Sequence, residues 1–185
     1  NLHSTAKFIQ NELSGIFPNS QKELIKLKGV GRYSSSAIAS ICFNEKTPAI
    51  DGNVYRVLSR IFGIKLNISL NSTYSYFYKK STPLIKEFKS AGDYNQSLMD
   101  FGSVQCLPKK PLCSNCNQNK ICYAFAHKKQ DELPVKKRSI MIIKRYFNYY
   151  VFSYKDKFLV KKRGYSGIWG GLYEFYIEEK KKLIK

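Results

Sequence analysis

The chain has 185 residues, 43% of them hydrophobic, enough for a sizeable packed core, and no run in it approaches the roughly 18 apolar residues of a membrane-crossing helix. Lys and Arg outnumber Asp and Glu by 32 to 13, a formal charge of +19, which favours a polyanionic partner, most simply nucleic acid. The abundance of Lys, Asn, Ile and Tyr also suits an AT-rich genome, which inflates lysine without a functional reason; the charge therefore counts only where it meets a phosphate-binding motif. The start, NLHSTAKFIQ, does not read as a secretory signal.

In chain order, Leu2, Ala6, Ile9 and Leu13 predict a helix over 2–13, and Gly15, Pro18 and Asn19 a turn. Ser20 to Glu23 reads S-x-x-E, a capping box, so a helix begins near Gln21 with Leu24, Ile25 and Leu27 on its apolar side. Gly29 and Gly31 break it and admit backbone conformations closed to residues with a Cβ. A second helix follows from about Arg32, with Ala37, Ile38, Ile41 and Cys42 on one face, Cys42 as a buried thiol. Two short helices joined by G-V-G form a helix-hairpin-helix. The N–H groups of Lys28, Gly29, Val30, Gly31 and Arg32 and the second helix's N-terminus would then hold a DNA phosphate. An ordinary helical turn without a ligand fits the same residues.

Val54, Val57, Leu58, Ile61 and Phe62 predict a helix from Asn53 to Phe62, ended by Gly63. Asp51 stands at or just before its N-cap. It is either a capping carboxylate or, kept ionised by the helix end, an anion that could stabilise a sugar cation or form a covalent sugar intermediate. A loop over 63–71, a helix from Thr73 to about Phe88 kinked or broken at Pro83, a turn at Ala91–Asp93 and a helix from Tyr94 to near Gly102 come next. Leu98, Met99 and Phe101 of the last helix point to the core.

Cys106, Cys113, Cys116 and Cys122 follow with the spacing C-x6-C-x2-C-x5-C. With no secretory signal and one cysteine left over, a disulfide framework is disfavoured. Four thiolates suit either Zn²⁺ or an iron–sulfur cluster, and only Cys113–Cys116 has the form of a zinc knuckle. Lys109, Lys110 and Lys120 make the loop basic. A short helix runs to His127, and neither His3 nor His127 has a partner that makes it catalytic. KKQDELPVKKRS, residues 128–139, reads as a charged linker. Ile140–Val151 and Phe158–Lys162, with a turn at Lys155–Lys157, then read as a β-hairpin opening a second domain.

LKGVGRY followed by PAIDGNV resembles the helix-hairpin-helix, Gly/Pro loop and aspartate of base-excision DNA glycosylases, most closely the MutY-type adenine glycosylases. The resemblance implies a mainly α helix-hairpin-helix glycosylase domain over 1–127, a linker over 128–139, and the start of a Nudix-like α/β domain over 140–185, where RGYSGIWGGLYEF carries the likeness. In the family the matching Asp stabilises the cationic sugar and the matching Tyr and Asn line the pocket, which carries over to Asp51, Tyr33 and Asn53. Endonuclease III-like relatives carry a Schiff-base lysine where this chain has Tyr33, so a monofunctional enzyme is implied. The cysteine spacing is the one that holds a [4Fe–4S] cluster in these enzymes. The implied partner is duplex DNA with adenine opposite 8-oxoguanine or guanine, the implied state a monomer in the bacterial cytoplasm at the nucleoid, with no membrane attachment.

Two departures stand out. No Nudix box with metal-binding glutamates is present, so pyrophosphohydrolase activity is not expected. The family's general-acid glutamate, near an L-Q-Q-T motif, is absent; Glu12, Glu23 and Glu45 lie in the wrong contexts to replace it, and the sequence reads as an internal fragment. An endonuclease III-like lyase and a non-catalytic cluster-bearing DNA-binding module are the competing readings.

Overall fold

The computed structural model describes residues 1–137 and 144–180. They fall into two units, divided between Arg138 and Ser139. In the first, α1 (Leu2–Glu12), α2 (Gln21–Leu24), α3 (Arg32–Phe43), α4 (Gly52–Phe62), α5 (Asn71–Lys86) and α6 (Ala91–Asp100) follow one another. A π-helical turn (Phe101–Gln105), a 3₁₀ turn (Asn119–Ile121) and α7 (Tyr123–Ala126) complete it.

The core is built where apolar side chains recur at helical spacing. Val54 and Leu58 of α4 pack with Ile50, Ile64 and Phe77, the Phe77 ring meeting Tyr55 edge-on at 4.8 Å. Leu24, Leu27 and Ala39 close the space between α2 and α3, and Ile85, Ala91 and Tyr94 that between α5 and α6.

Several elements differ from their sequence expectation. α1 buries Thr5, whose hydroxyl donates to the Lys28 carbonyl at 2.7 Å, while Leu2 and Ala6 face solvent. Ser20 caps no backbone amide; its hydroxyl donates to the Glu23 carboxylate, and the Gln21 amide is taken by Glu45 at 2.7 Å. A carboxylate from a later segment outcompetes the local box for that orphan donor. Of the two hairpin glycines only Gly29 needs its freedom, with φ +91°; Gly31 has φ −92° and is extended. The predicted apolar face of α3 is half wrong. Ile41 and Cys42 are exposed, and the buried residues are Ser35, Ser36, Ala39 and Ser40. Small side chains allow close helix approach, so serines displace the larger hydrophobes from the contact.

α5 runs unbroken through Pro83. α6 begins at Ala91, not Tyr94, because the Ser90 hydroxyl accepts from the Asp93 amide and caps it. On α4, Phe62 is exposed beneath the Lys80 ammonium, and Arg56 and Arg60 are buried instead. The segment expected as a free linker is held on the helical unit up to residue 137, with Leu133 buried, the Ile68 amide donating to the Val135 carbonyl and the Lys137 amide to Asn67.

The second unit is made of short antiparallel pairs among its described residues. β1 (Tyr146–Tyr150) pairs with β6 (Tyr176–Lys180), β2 (Ser153–Tyr154) with β3 (Lys157–Phe158), and β4 (Lys161–Lys162) with β5 (Tyr173–Glu174). The local hairpin is therefore only β2–β3, turned by Lys155 and Asp156 at positive φ, as a two-residue primed turn requires. The longer strand β1, expected to pair with the 158–162 segment, takes the distant β6. Ile140–Ile143 of that expectation lie outside the described residues, as do 181–185, and no helix of the expected α/β domain is among those described.

Candidate functional site

Asp51 is the N-cap of α4. Its Oδ1 accepts from the Val54 amide at 2.8 Å and its Oδ2 from the Asn53 side-chain amide at 2.9 Å. The carboxylate is half-buried and both its oxygens accept from N–H donors, which fix its direction. Asn53, two residues on, is held from the other side: the Arg56 guanidinium donates to its Oδ1 at 2.8 Å. Arg56 also donates to the carbonyls of Gly102 and Cys106, both at 2.7 Å. A continuous chain thus runs from Asp51 through Asn53 and Arg56 to the first cysteine of the loop. Desolvation lowers the Arg56 pKa from its ordinary value, with the Cys106 thiol and the Asp51 carboxyl pulling it up and Arg60 down. The approach is close because residue 102 lacks a side chain: a Cβ there would lie 2.6 Å from that of Asn53.

Arg60, one turn further along α4, ties the cysteine loop to the segment that follows α7. It donates to the carbonyls of Leu107 (2.7 Å), Pro108 (3.2 Å), Gln130 and Leu133 (both 3.0 Å), and reaches the Cys106 Sγ at 3.3 Å. Five donors in one plane suit a loop whose carbonyls converge from several directions. Cys106, Cys113, Cys116 and Cys122 all line one cavity with Arg60, Phe101, Leu112 and Phe125. The Gln118 amide donates to the Cys116 Sγ at 3.4 Å, and burial pushes the Cys113 thiol up. Among the described residues no three side chains of His, Cys, Asp or Glu are grouped so as to hold a metal ion.

Lys28, Gly29, Gly31 and Arg32 are exposed and Val30 is half-buried against the core. Nothing lies within 4 Å of where a Cβ on Gly31 would be, whereas one on Gly29 would lie 2.7 Å from the Asn1 Cβ, so the turn is open on its Gly31 side. The Arg32 guanidinium lies over the Tyr74 ring at 5.1 Å, drawn toward α5. Tyr33, 40% exposed, donates its hydroxyl to the Met99 sulfur at 3.1 Å on α6. Asp51 and Asn53 are thus in direct contact, while the Tyr33 hydroxyl is turned to Met99 of α6.

The helical unit resembles solved glycosylases. A thermostable thymine-DNA glycosylase matches 68% of this chain and 57% of its own length with a TM-score of 0.60 and 29% identity. An endonuclease III trapped as a covalent intermediate with DNA matches 69% and 57% with a TM-score of 0.55 at 22% identity, a likeness of fold. Over 176 residues, 95% of this chain, an adenine DNA glycosylase of Buchnera aphidicola subsp. Baizongia pistaciae is 34% identical. The chain is a homologue of the adenine DNA glycosylases. It spans about half the length of the curated relatives it matches, 49% in that case. No protein-family model matches the chain.

In this adenine DNA glycosylase homologue the residues that sequence reasoning missed are Arg56 and Arg60. Both sit at i, i+4 on α4, between positions assigned to the core, where arginine is expected to face water. The signal that could have found them is two arginines interrupting the apolar face of a helix.

Proposed function

We propose that this chain carries part of a monofunctional adenine DNA glycosylase that acts on adenine opposite 8-oxoguanine or guanine. The observation that carries the reading is the double anchoring of Asp51 by the Val54 amide and the Asn53 side chain, which holds one carboxylate still at the mouth of α4. The Gly29–Gly31 turn and the basic cysteine loop grip phosphates, and the target base leaves the duplex for a pocket beside Asp51, Tyr33 and Asn53. As the N-glycosidic bond stretches, positive charge grows on the sugar, and the fixed Asp51 charge stabilises it more than the neutral ground state. Tyr33 cannot form a Schiff base, so cleavage of the backbone does not follow. The proton for the departing adenine is assigned to no residue of this chain.

Cys106, Cys113, Cys116 and Cys122 are the proposed holders of a [4Fe–4S] cluster. All four line a single cavity, and the Arg60 and Gln118 N–H groups reaching Cys106 and Cys116 suit charged sulfur. Such a group, when bound, supplies order to a loop too short to fold alone. The second unit is proposed as the start of a Nudix-like domain that reads the opposite strand. The protein is proposed to act as a monomer in the bacterial cytoplasm; no helix among the described residues is long and apolar enough to cross a membrane.

The test is excision by the protein expressed from its own gene. Adenine release from an 8-oxoguanine·adenine duplex, with strand breaks only after alkali, is the expected result. Breaks without alkali would overturn the monofunctional assignment. Release of thymine from a guanine·thymine duplex would favour the second reading, suggested by the likeness to a thymine-DNA glycosylase structure. Anaerobically purified protein should be brown and carry about four irons per chain; colourless protein with stoichiometric zinc would refute the cluster.

A further inference from the structure

The segment that delivers Asp51 is a buried loop. Thr47, Pro48, Ala49 and Ile50 are each 5% exposed or less. Irregular backbone is costly to bury, because its N–H and C=O groups have no ladder or helix to satisfy them. Here one side chain does that work. Asn95 of α6, 1% exposed, accepts from the Ala49 amide at 3.0 Å and donates to the Thr47 carbonyl at 3.1 Å, as a strand neighbour would. It also donates to the Ser40 hydroxyl of α3 at 2.8 Å. The amide therefore touches three parts at once: α6, the loop two residues before Asp51, and the helix that carries the hairpin and Tyr33. The α3–α6 contact leaves little slack, since a Cβ on Gly92 would lie 3.0 Å from the Ile41 Cα. Thr47 is held further by Ser36 at 3.3 Å and Tyr78 at 3.0 Å.

We infer that Asn95 is a positioning residue: it sets where Asp51 stands relative to the phosphate-gripping hairpin, and so how well the carboxylate meets the developing sugar cation. The inference rests on the glycosylase reading. A displacement of about 1 Å at a reacting centre can cost about 10²-fold, and neither glycine, alanine nor a hydrophobe at 95 could bond loop and α3 together.

The test compares two duplexes identical except at one abasic analogue, a neutral tetrahydrofuran or a pyrrolidine with a cationic ring nitrogen. The ratio of their affinities reads the Asp51 field at the sugar. The wild-type protein, expressed from its own gene, should prefer the pyrrolidine duplex. Asn95→Leu, similar in volume without hydrogen bonds, should lose about tenfold of that preference while tetrahydrofuran affinity changes by less than about twofold. Ser40→Ala, which removes only the α3 strut, should lose about threefold and decides alone if the leucine variant does not fold. Unchanged preference in the folded variants, or equal weakening on both duplexes, would overturn the role, the latter marking a purely structural residue. If the wild type itself fails to distinguish the analogues, the glycosylase reading falls and this inference with it.

Discussion

Asp51 makes two hydrogen bonds that serve opposite ends: the Val54 amide ties it to the helix, and Asn53 turns its second oxygen. Capping and chemistry are not rivals here, since the cap is what holds the charge still. Asn also caps helices well, so Asp51→Asn should fold with at most about 1 kcal/mol lost. In the protein expressed from its own gene it should slow base excision by at least about 10²-fold in single turnover, with duplex affinity changed less than about twofold. A variant that excised at the wild-type rate would remove Asp51 from the chemistry. Position 51 was legible in sequence because a carboxylate before a helical apolar repeat has few places to go. Its link to Cys106 was not, because Arg56 meets the Gly102 and Cys106 carbonyls only after α4 and the π-helical turn pack.

At the scale of elements, α4 joins the site to the loop. One side carries Val54, Val57 and Leu58 into the core, and the other sends Arg56 and Arg60 across to the carbonyls around the cysteines. The opposing surface must come within reach of Asn53, and only glycine at 102 permits it. Gly102→Ala would put a methyl 2.6 Å from the Asn53 Cβ. Overpacking of this kind costs about 1–3 kcal/mol, so the melting temperature should drop by about 3–10 °C. The same displacement takes Asn53 away from Asp51, so preference for a cationic abasic analogue should fall too. An unchanged melting curve would mean that the Asn53–Gly102 contact is looser than drawn. The amphipathic pattern predicted α4 to within a residue, but it could not tell which polar residues would be drawn inward.

The whole helical unit buries aromatic hydroxyls as well as hydrocarbon. Burial raises the pKa of Tyr55, Tyr74 and Tyr94 above the ordinary value of 10.0, Tyr94 having the most enclosed ring among them. Unfolded tyrosines lose their protons near that value while the folded ones keep theirs. Stability is thus fully present below pH 10 and is lost as pH rises through the folded values. Urea midpoints should fall steeply above pH 10, and less so in Tyr94→Phe. A flat profile there would show that these hydroxyls reach water. The charge of +19 acts over the same scale. If phosphate contacts carry the binding, log affinity for duplex DNA should fall linearly with log salt, with a slope near −0.9 for each contact.

Charge, hairpin, aspartate and cysteine spacing are properties of short stretches, so the sequence alone determined the kind of protein. The length of α4, the turn glycine at 29 and the cap at 51 were equally local, each set by backbone sterics within a few residues. The tertiary structure decided which faces were buried and what joined them. Serines replaced Ile41 and Cys42 at the α3 contact, Glu45 took the α2 cap, β6 took β1, and Asn95 and Arg56 closed links between segments some fifty residues apart. Such choices depend on which surfaces come within hydrogen-bonding distance after the chain has collapsed, and no periodicity in one stretch carries that information.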